Sequence, residues 1–322
     1  MGTTQITYLV FGIVLLIAIF IDLGLFTKKE KTISIKNALW ISLFWIALGL
    51  AFGVFVWFEK GQAPALEYFS AYLMEKSLSI DNIFVFILIF SAFSVKEKFF
   101  GRVLFTGVLM AIIFRIIFIT VGVALVDRFW WVLYVFGVFL VYTGIKIFYA
   151  TEEEEFDPRK SRIYRFMKRF LPLVPRDGNG KYMIREKGRP VYTTLFVVVI
   201  MLAATDIVFA VDSIPAVMGI SRDKLVIYTS NIFAILGLRP LFFLLRGAVS
   251  KFDYLQQGIA IVLIFIGIKM LGEHWFNEWI PKTEQVFISL GIILFCLGSS
   301  IFYSIFMKKK GVPDDVVDES IK

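Results

Sequence analysis

Nine apolar stretches, at residues 7–26, 38–58, 66–94, 103–126, 130–149, 192–219, 224–245, 254–272 and 284–306, alternate with shorter polar connections. At 1.5 Å per residue each covers the roughly 30 Å hydrocarbon layer as a helix. The pattern predicts an all-α polytopic membrane protein with about nine transmembrane helices, the whole chain (1–322) forming a single transmembrane domain. The third and sixth stretches are longer than a crossing needs and are expected to tilt or break. The first has no basic segment before it and no small-residue cleavage site after it, so it reads as a retained span rather than a signal peptide.

The charges sort by connection. Those around Lys28–Lys36, Lys96–Arg102, Arg159–Arg189 and Arg246–Lys251, with the tail from Lys308, hold 24 of the 34 Lys and Arg residues. The opposite set holds five: Lys60, Arg128, Arg222, Lys224 and Lys282. The positive-inside rule then places the N-terminus outside and the C-terminus in the cytoplasm. The net charge of +8 is thereby a topology signal and does not call for a nucleic-acid partner. Within the basic cytoplasmic loop 150–191, "RKSRIYRFMKRF" (Arg159–Phe170) reads either as an amphipathic helix on the inner leaflet or as a solvated basic segment.

The spans also repeat. Glu75 and Asp81, in "EKSLSIDNI", match Asp206 and Asp212, in "DIVFAVDSI", at an offset of 131 residues. "FRIIF" around Arg115 matches "LRPLFF" around Arg239 at 124, and "GIKI" matches "GIKM" at 123. Spans 3–5 (66–149) therefore echo spans 6–8 (192–272) in order. Span 3 enters from outside and span 6 from the cytoplasm, so the halves form an inverted-topology pair, the arrangement of many secondary transporters with a midplane site. Six helical residues rise about 9 Å, which predicts an outer layer of Glu75 with Asp212 and an inner layer of Asp81 with Asp206. Pro215, three residues after Asp212, is expected to break the sixth span there.

Composition narrows the chemistry. Residues are 58% hydrophobic, mean hydropathy is +0.79, and there is one Cys and one His. A cysteine-based zinc site and an internal disulfide are excluded, so a bound metal would meet oxygen ligands, which suit hard cations. Four intramembrane carboxylates cost on the order of 10 kcal/mol at about 2.5–3.5 kcal/mol each, an amount comparable to a whole folding stability. The plainer alternative pairs them with Lys76, Arg115 and Arg239, but it leaves acids over. The candidate metal ligands are thus Glu75, Asp81, Asp206 and Asp212, with Asn82, Ser213 and Asn231 as neutral oxygen donors. Arg115 and Arg239 are expected as charge partners, and Glu67 and Asp22 as pathway residues nearer the interfaces. His274 falls in an interfacial belt with Trp275 and Trp279. No nucleophile motif, Walker loop or dinucleotide fingerprint is present, so no enzyme activity or cofactor is expected.

"YLMEKSLSIDNIFVF", "DIVFAVDSIPAV" and "SNIFAILGLRPLFFLL" closely resemble the TerC family of integral membrane proteins, in its Alx-like branch, over nearly the whole chain. The resemblance implies a bacterial inner-membrane protein in metal homeostasis that exports manganese. It also places the family's intramembrane acids on Glu75, Asp81, Asp206 and Asp212. One departure stands out: where the family carries an acid three residues before the first Asp of the second motif, this chain has Ala203. Residues and resemblance converge on a secondary transporter of divalent cations, with proton exchange as the expected coupling, the metal ion as substrate and the bilayer as the other partner. Export of another solute (an amino acid or a tellurium oxyanion) and a non-transporting scaffold for partner proteins stay open.

Overall fold

Residues 9–17, 34–149, 158–186, 188–246, 255–272, 275 and 278–311 are described by the computed structural model. Residues 9–17 are helical (α1). Then follow α2 (Ile35–Lys60), α3 (Gln62–Ala92), α4 (Phe100–Arg128), α5 (Val132–Phe148), α6 (Arg162–Phe170), α7 (Thr194–Ile220), α8 (Lys224–Ile235), α9 (Leu238–Leu245), α10 (Leu255–Leu271) and α11 (Lys282–Gly311). The only strands among the described residues, β1 (Met183–Glu186) and β2 (Arg189–Tyr192), form a small antiparallel hairpin ahead of α7. The all-α polytopic class holds. By length and composition, four described helices suffice to cross a membrane, and the bent pair α8–α9 makes a fifth. α5 and α10 are apolar but only 17 residues each, and α3 has the length, at 31 residues, but carries Glu67, Glu75, Lys76 and Asp81. Large apolar side chains such as Phe58, Trp130 and Phe295 are exposed on the bundle surface, where lipid takes the place of water.

The predicted break at Pro215 is absent: α7 runs unbroken through it. A proline removes one hydrogen bond and crowds one carbonyl, which a long packed helix absorbs as a bend. The interruption comes one span later. Gly237, at φ +84°, ends α8 in the left-handed region, and the chain turns 42° into α9. A Cβ at Gly237 would lie 2.6 Å from Cβ of Trp45, so glycine is needed for both conformation and space. Ending a helix inside the bundle strands carbonyls that lipid cannot satisfy. Lys76 meets them, its Nζ donating to the carbonyls of Ala234 at 3.1 Å and Leu236 at 3.2 Å. This lysine therefore caps a helix C-terminus.

Part of the packing pairs up between the two halves. α3 packs on α8 as α7 packs on α4, and α3 meets α7 and α5 meets α10. Swapping α3 with α7, α4 with α8–α9, and α5 with α10 maps this set onto itself. The α5–α10 crossing repeats in detail. A Cβ on Gly267 would come within 2.7 Å of the Gly137 carbonyl, and one on Gly144 within 2.7 Å of the Ala260 carbonyl. The offset of 123 carries Gly137 to Ala260 and Gly144 to Gly267, so one close contact is made twice. Small residues let the two backbones touch.

Paired charges mark the two ends of the bundle. At one end Lys60 meets Asp223, Lys224 meets Asp127, and the Ser221 hydroxyl donates to Glu67. At the other, Lys96 meets Asp177 at 2.6 Å and Arg246 meets Glu97. α3 thus begins where α7 ends, and the two run antiparallel.

Candidate functional site

α4 delivers the central group. Gly107, Ala111, Arg115, Ile119 and Gly122 share its buried face. The two glycines receive Leu202 and Met218 of α7, so the helices approach closely and Arg115 is carried into their interface. Its guanidinium is fully buried. Nε donates to Asp206 Oδ2 at 3.3 Å and Nη2 to Asp206 Oδ1 at 3.2 Å. Nη1 donates to Glu75 Oε2 and, at 3.1 Å, to the amide oxygen of Asn231. That amide is oriented by its own NH2 group, which donates to the Ile227 carbonyl at 3.0 Å. Four helices, α3, α4, α7 and α8, converge here.

The charges do not balance. With both carboxylates ionised, one guanidinium faces two negative charges in a site that excludes water. Glu75 Oε1, also buried, accepts no hydrogen bond among the described residues. A buried carboxylate oxygen without a donor is costly unless a further cation or proton satisfies it.

A polar line extends from this cluster. Ser79 and Asn82 follow Glu75 by four and seven residues, within about 60° of it on the helix. Both are buried, and the Ser79 hydroxyl and the Asn82 amide nitrogen have no hydrogen-bond partner among the described residues. On α7, Ser213 follows Asp206 by the same seven residues and is likewise buried with an unpartnered hydroxyl. Asn82 and Ser213 are expected from the sequence, whereas Ser79 is a further member whose sequence signal is the i+4 spacing from Glu75.

The predicted layers need correcting. Glu75 and Asp206 share one guanidinium, so they lie at one level rather than in separate layers. They are each other's counterparts at the offset of 131. Asp212 lies six residues after Asp206, about 120° away around the helix, and is partly buried, accepting from Thr143 Oγ1 at 3.4 Å. Asp81 lies on α3, but its side chain is outside the described residues, as are Asp22 and His274. The Arg239 guanidinium stands over the Phe105 ring at 5.1 Å. Ala203 is buried, three residues before Asp206. Glu67 lines a cavity of about 150 Å3 with Ser221, Arg222, Lys269 and Gln285, at the end where α3 begins. No group of three or more acidic, His or Cys side chains is gathered as a metal cage among the described residues. Trp275 and Trp279 are exposed, as a belt requires.

The profile described as "Integral membrane protein TerC family" matches residues 60–312, and so takes in every residue of the cluster. Membrane protein STKORF319 of Myxococcus xanthus is 41% identical over 295 residues, 92% of this chain and 90% of its own length. A membrane protein of Rickettsia felis is 39% identical over 295 residues, 92% of this chain and 97% of its own. The Alx protein of Escherichia coli (strain K12), a membrane-bound protein whose name proposes redox modulation, is 39% identical over 302 residues, 91% of this chain and 94% of its own. No solved structure matches the chain significantly.

Proposed function

The chain belongs to the integral membrane protein TerC family, and on that premise we propose that it is a secondary transporter exporting divalent metal cations. Manganese(II) is the first candidate substrate. One observation carries the reading: Glu75 and Asp206, counterparts from the two halves, close on a single buried cation, Arg115, and still leave a carboxylate oxygen unpaired. The cluster is a cation site whose occupant in this state is the protein's own guanidinium. A dication entering it would find the Glu75 and Asp206 carboxylates and the Asn231 amide oxygen, a hard donor set that suits manganese. Asp81 and Asp212 flank it along α3 and α7.

The packing that pairs up between the halves and the antiparallel α3 and α7 support reading 66–149 and 192–272 as inverted repeats that rock against each other. On this reading the N-terminus lies outside, the C-terminus lies in the cytoplasm of a bacterial cell, and the Glu67 cavity is the outer vestibule. Ser79 and Asn82 supply polar steps from the site toward the cytoplasmic end, and Ser213 supplies one from the site toward the outer end. Moving a dication outward against an inside-negative potential costs about 4.6 kcal/mol per 100 mV, so export requires coupling. Carboxylates released by the metal take protons, which makes proton exchange the economical choice. On this reading the protein changes only the location of its substrate. A redox role would have to proceed without an intramolecular disulfide, because Cys296 is the single cysteine.

Purified protein in proteoliposomes, loaded with manganese and given an opposing proton gradient, tests this. Metal flux that disappears in Glu75→Gln and Asp206→Asn is the expected result. Flux of an amino acid or a tellurium oxyanion in place of metal, or no flux of any solute, would replace the reading with another exporter or a scaffold.

A further inference from the structure

α6 is fixed at the depth of the membrane surface. Its N-cap, Ser161, accepts from the Tyr164 N–H at 3.1 Å and lies 3.7 Å from the sulfur of Met201. Met201 is seven residues into α7, about 10 Å past the start of that span. Tyr164 packs on Phe93 at 5.3 Å, and Arg159 stands over the same ring at 5.8 Å. Phe93 caps the end of α3. The helix therefore lies across the ends of two spans rather than out in the aqueous loop.

Its faces divide in three. Ile163, Tyr164 and Met167 turn toward the bundle, Met167 being buried. Phe166 and Phe170 flank that side. Their rings are 4.6 Å apart, and 63% and 62% of each residue is exposed. Arg162, Arg165, Lys168 and Arg169 fill the rest of the surface, all exposed and none in an ion pair among the described residues. Arg169 lies over the Phe170 ring at 5.7 Å. Water is a poor neighbour for two adjacent phenyl rings, and a soluble acidic partner would leave them no apolar bed at this depth. An anionic bilayer offers both: acyl-chain boundary for the rings and phosphate for the cations beside them.

We propose that α6 is a lipid-binding element that gathers anionic phospholipid headgroups around the cytoplasmic end of α3 and α7. Phe166 and Phe170 insert at the boundary of headgroups and acyl chains, while Arg162, Arg165, Lys168 and Arg169 engage phosphates. The chain's own acidic run Glu152–Glu155 is the competing occupant, but carboxylates answer only the charge and not the exposed rings.

The test places a cysteine at Phe170 in a Cys296→Ser background, labels it with an environment-sensitive fluorophore, and reconstitutes the full-length protein in mixed vesicles. Brominated phosphatidylglycerol and brominated phosphatidylcholine are compared as quenchers at equal mole fraction. Quenching by the anionic lipid is expected to exceed that by the zwitterionic lipid at least twofold. The excess should vanish at 1 M salt and in the variant with Arg162, Arg165, Lys168 and Arg169 all changed to Gln. Equal quenching by both lipids would overturn the proposal, as would a label that stays water-accessible. It would equally fall if quenching appeared only after Glu152–Glu155 were changed to Gln, which would assign the basic face to the chain's own acids. The comparison of lipids uses a single-site labelled protein, so it stands even if the four-Gln variant inserts poorly.

Discussion

Arg115 holds Asp206 through two contacts, Nε to Oδ2 at 3.3 Å and Nη2 to Oδ1 at 3.2 Å, while its remaining arm reaches Glu75. A bidentate grip of this kind fixes direction as well as charge. It also sets the terms of competition: any cation that takes Asp206 must first part it from Arg115.

Arg115→Met removes the only cation of the cluster described here and leaves two buried carboxylates facing each other. Breaking a buried pair from one side costs about 3–5 kcal/mol, so thermal unfolding in detergent should shift sharply downward without metal. Manganese should restore much of the lost stability and bind the variant more tightly than the native protein by calorimetry. Equal metal response in both proteins would mean that Arg115 and the metal do not share a site.

Ser79→Ala and Asn82→Ala separate a polar pathway from ordinary packing. Both side chains are buried with unpartnered atoms, so replacing them should leave stability unchanged or slightly raised. Flux in proteoliposomes should fall severalfold even so. A loss of stability with flux intact would give these side chains a structural role.

Gly144→Val forces a side chain against the backbone of α10, where even a Cβ would lie 2.7 Å from the Ala260 carbonyl. Overpacking of this kind costs about 1–3 kcal/mol. The counterpart Gly267→Val meets Gly137 in the same way and should cost a similar amount. Matching shifts in unfolding midpoint are expected, and the double variant should be worse than either.

Asp177 answers to pH in a defined direction. Its hydrogen bond with Lys96, then the Asn179 backbone N–H, hold its carboxyl below the usual carboxylate range. A depressed folded-state pKa contributes stability that is present above the unfolded value near 3.9 and lost as pH falls through the folded one. Amide exchange in 177–186 should therefore be flat from pH 8 to 5, after correction for intrinsic rates, and rise only in strong acid. Asp177→Asn should raise it at pH 7.

Cysteines near Gly178 and near Lys60, in a Cys296→Ser background, should label from opposite sides of the membrane. Labelling from the same side would undo the opposed entry of the two halves.

Much of this protein was legible in its sequence for one physical reason: a bilayer imposes length and polarity on every crossing segment, and both are local properties. Apolar runs marked helices, the acids stood out against them, and offsets of 131, 124 and 123 aligned the halves. The hairpin inside the basic loop carried no such signal, since four-residue strands depend on a partner that local pattern does not name. Tertiary structure decided what met what. It drew Glu75 to the level of Asp206 through the guanidinium they share, and spacing along one helix cannot say which groups of another helix it will meet. It set Arg115 between Glu75 and Asp206, and Lys76 on the carbonyls freed at Gly237. It moved the helix break from Pro215 to Gly237, where Trp45 leaves room for no side chain. Those choices depend on which helices pack together, a property that belongs to the folded chain alone.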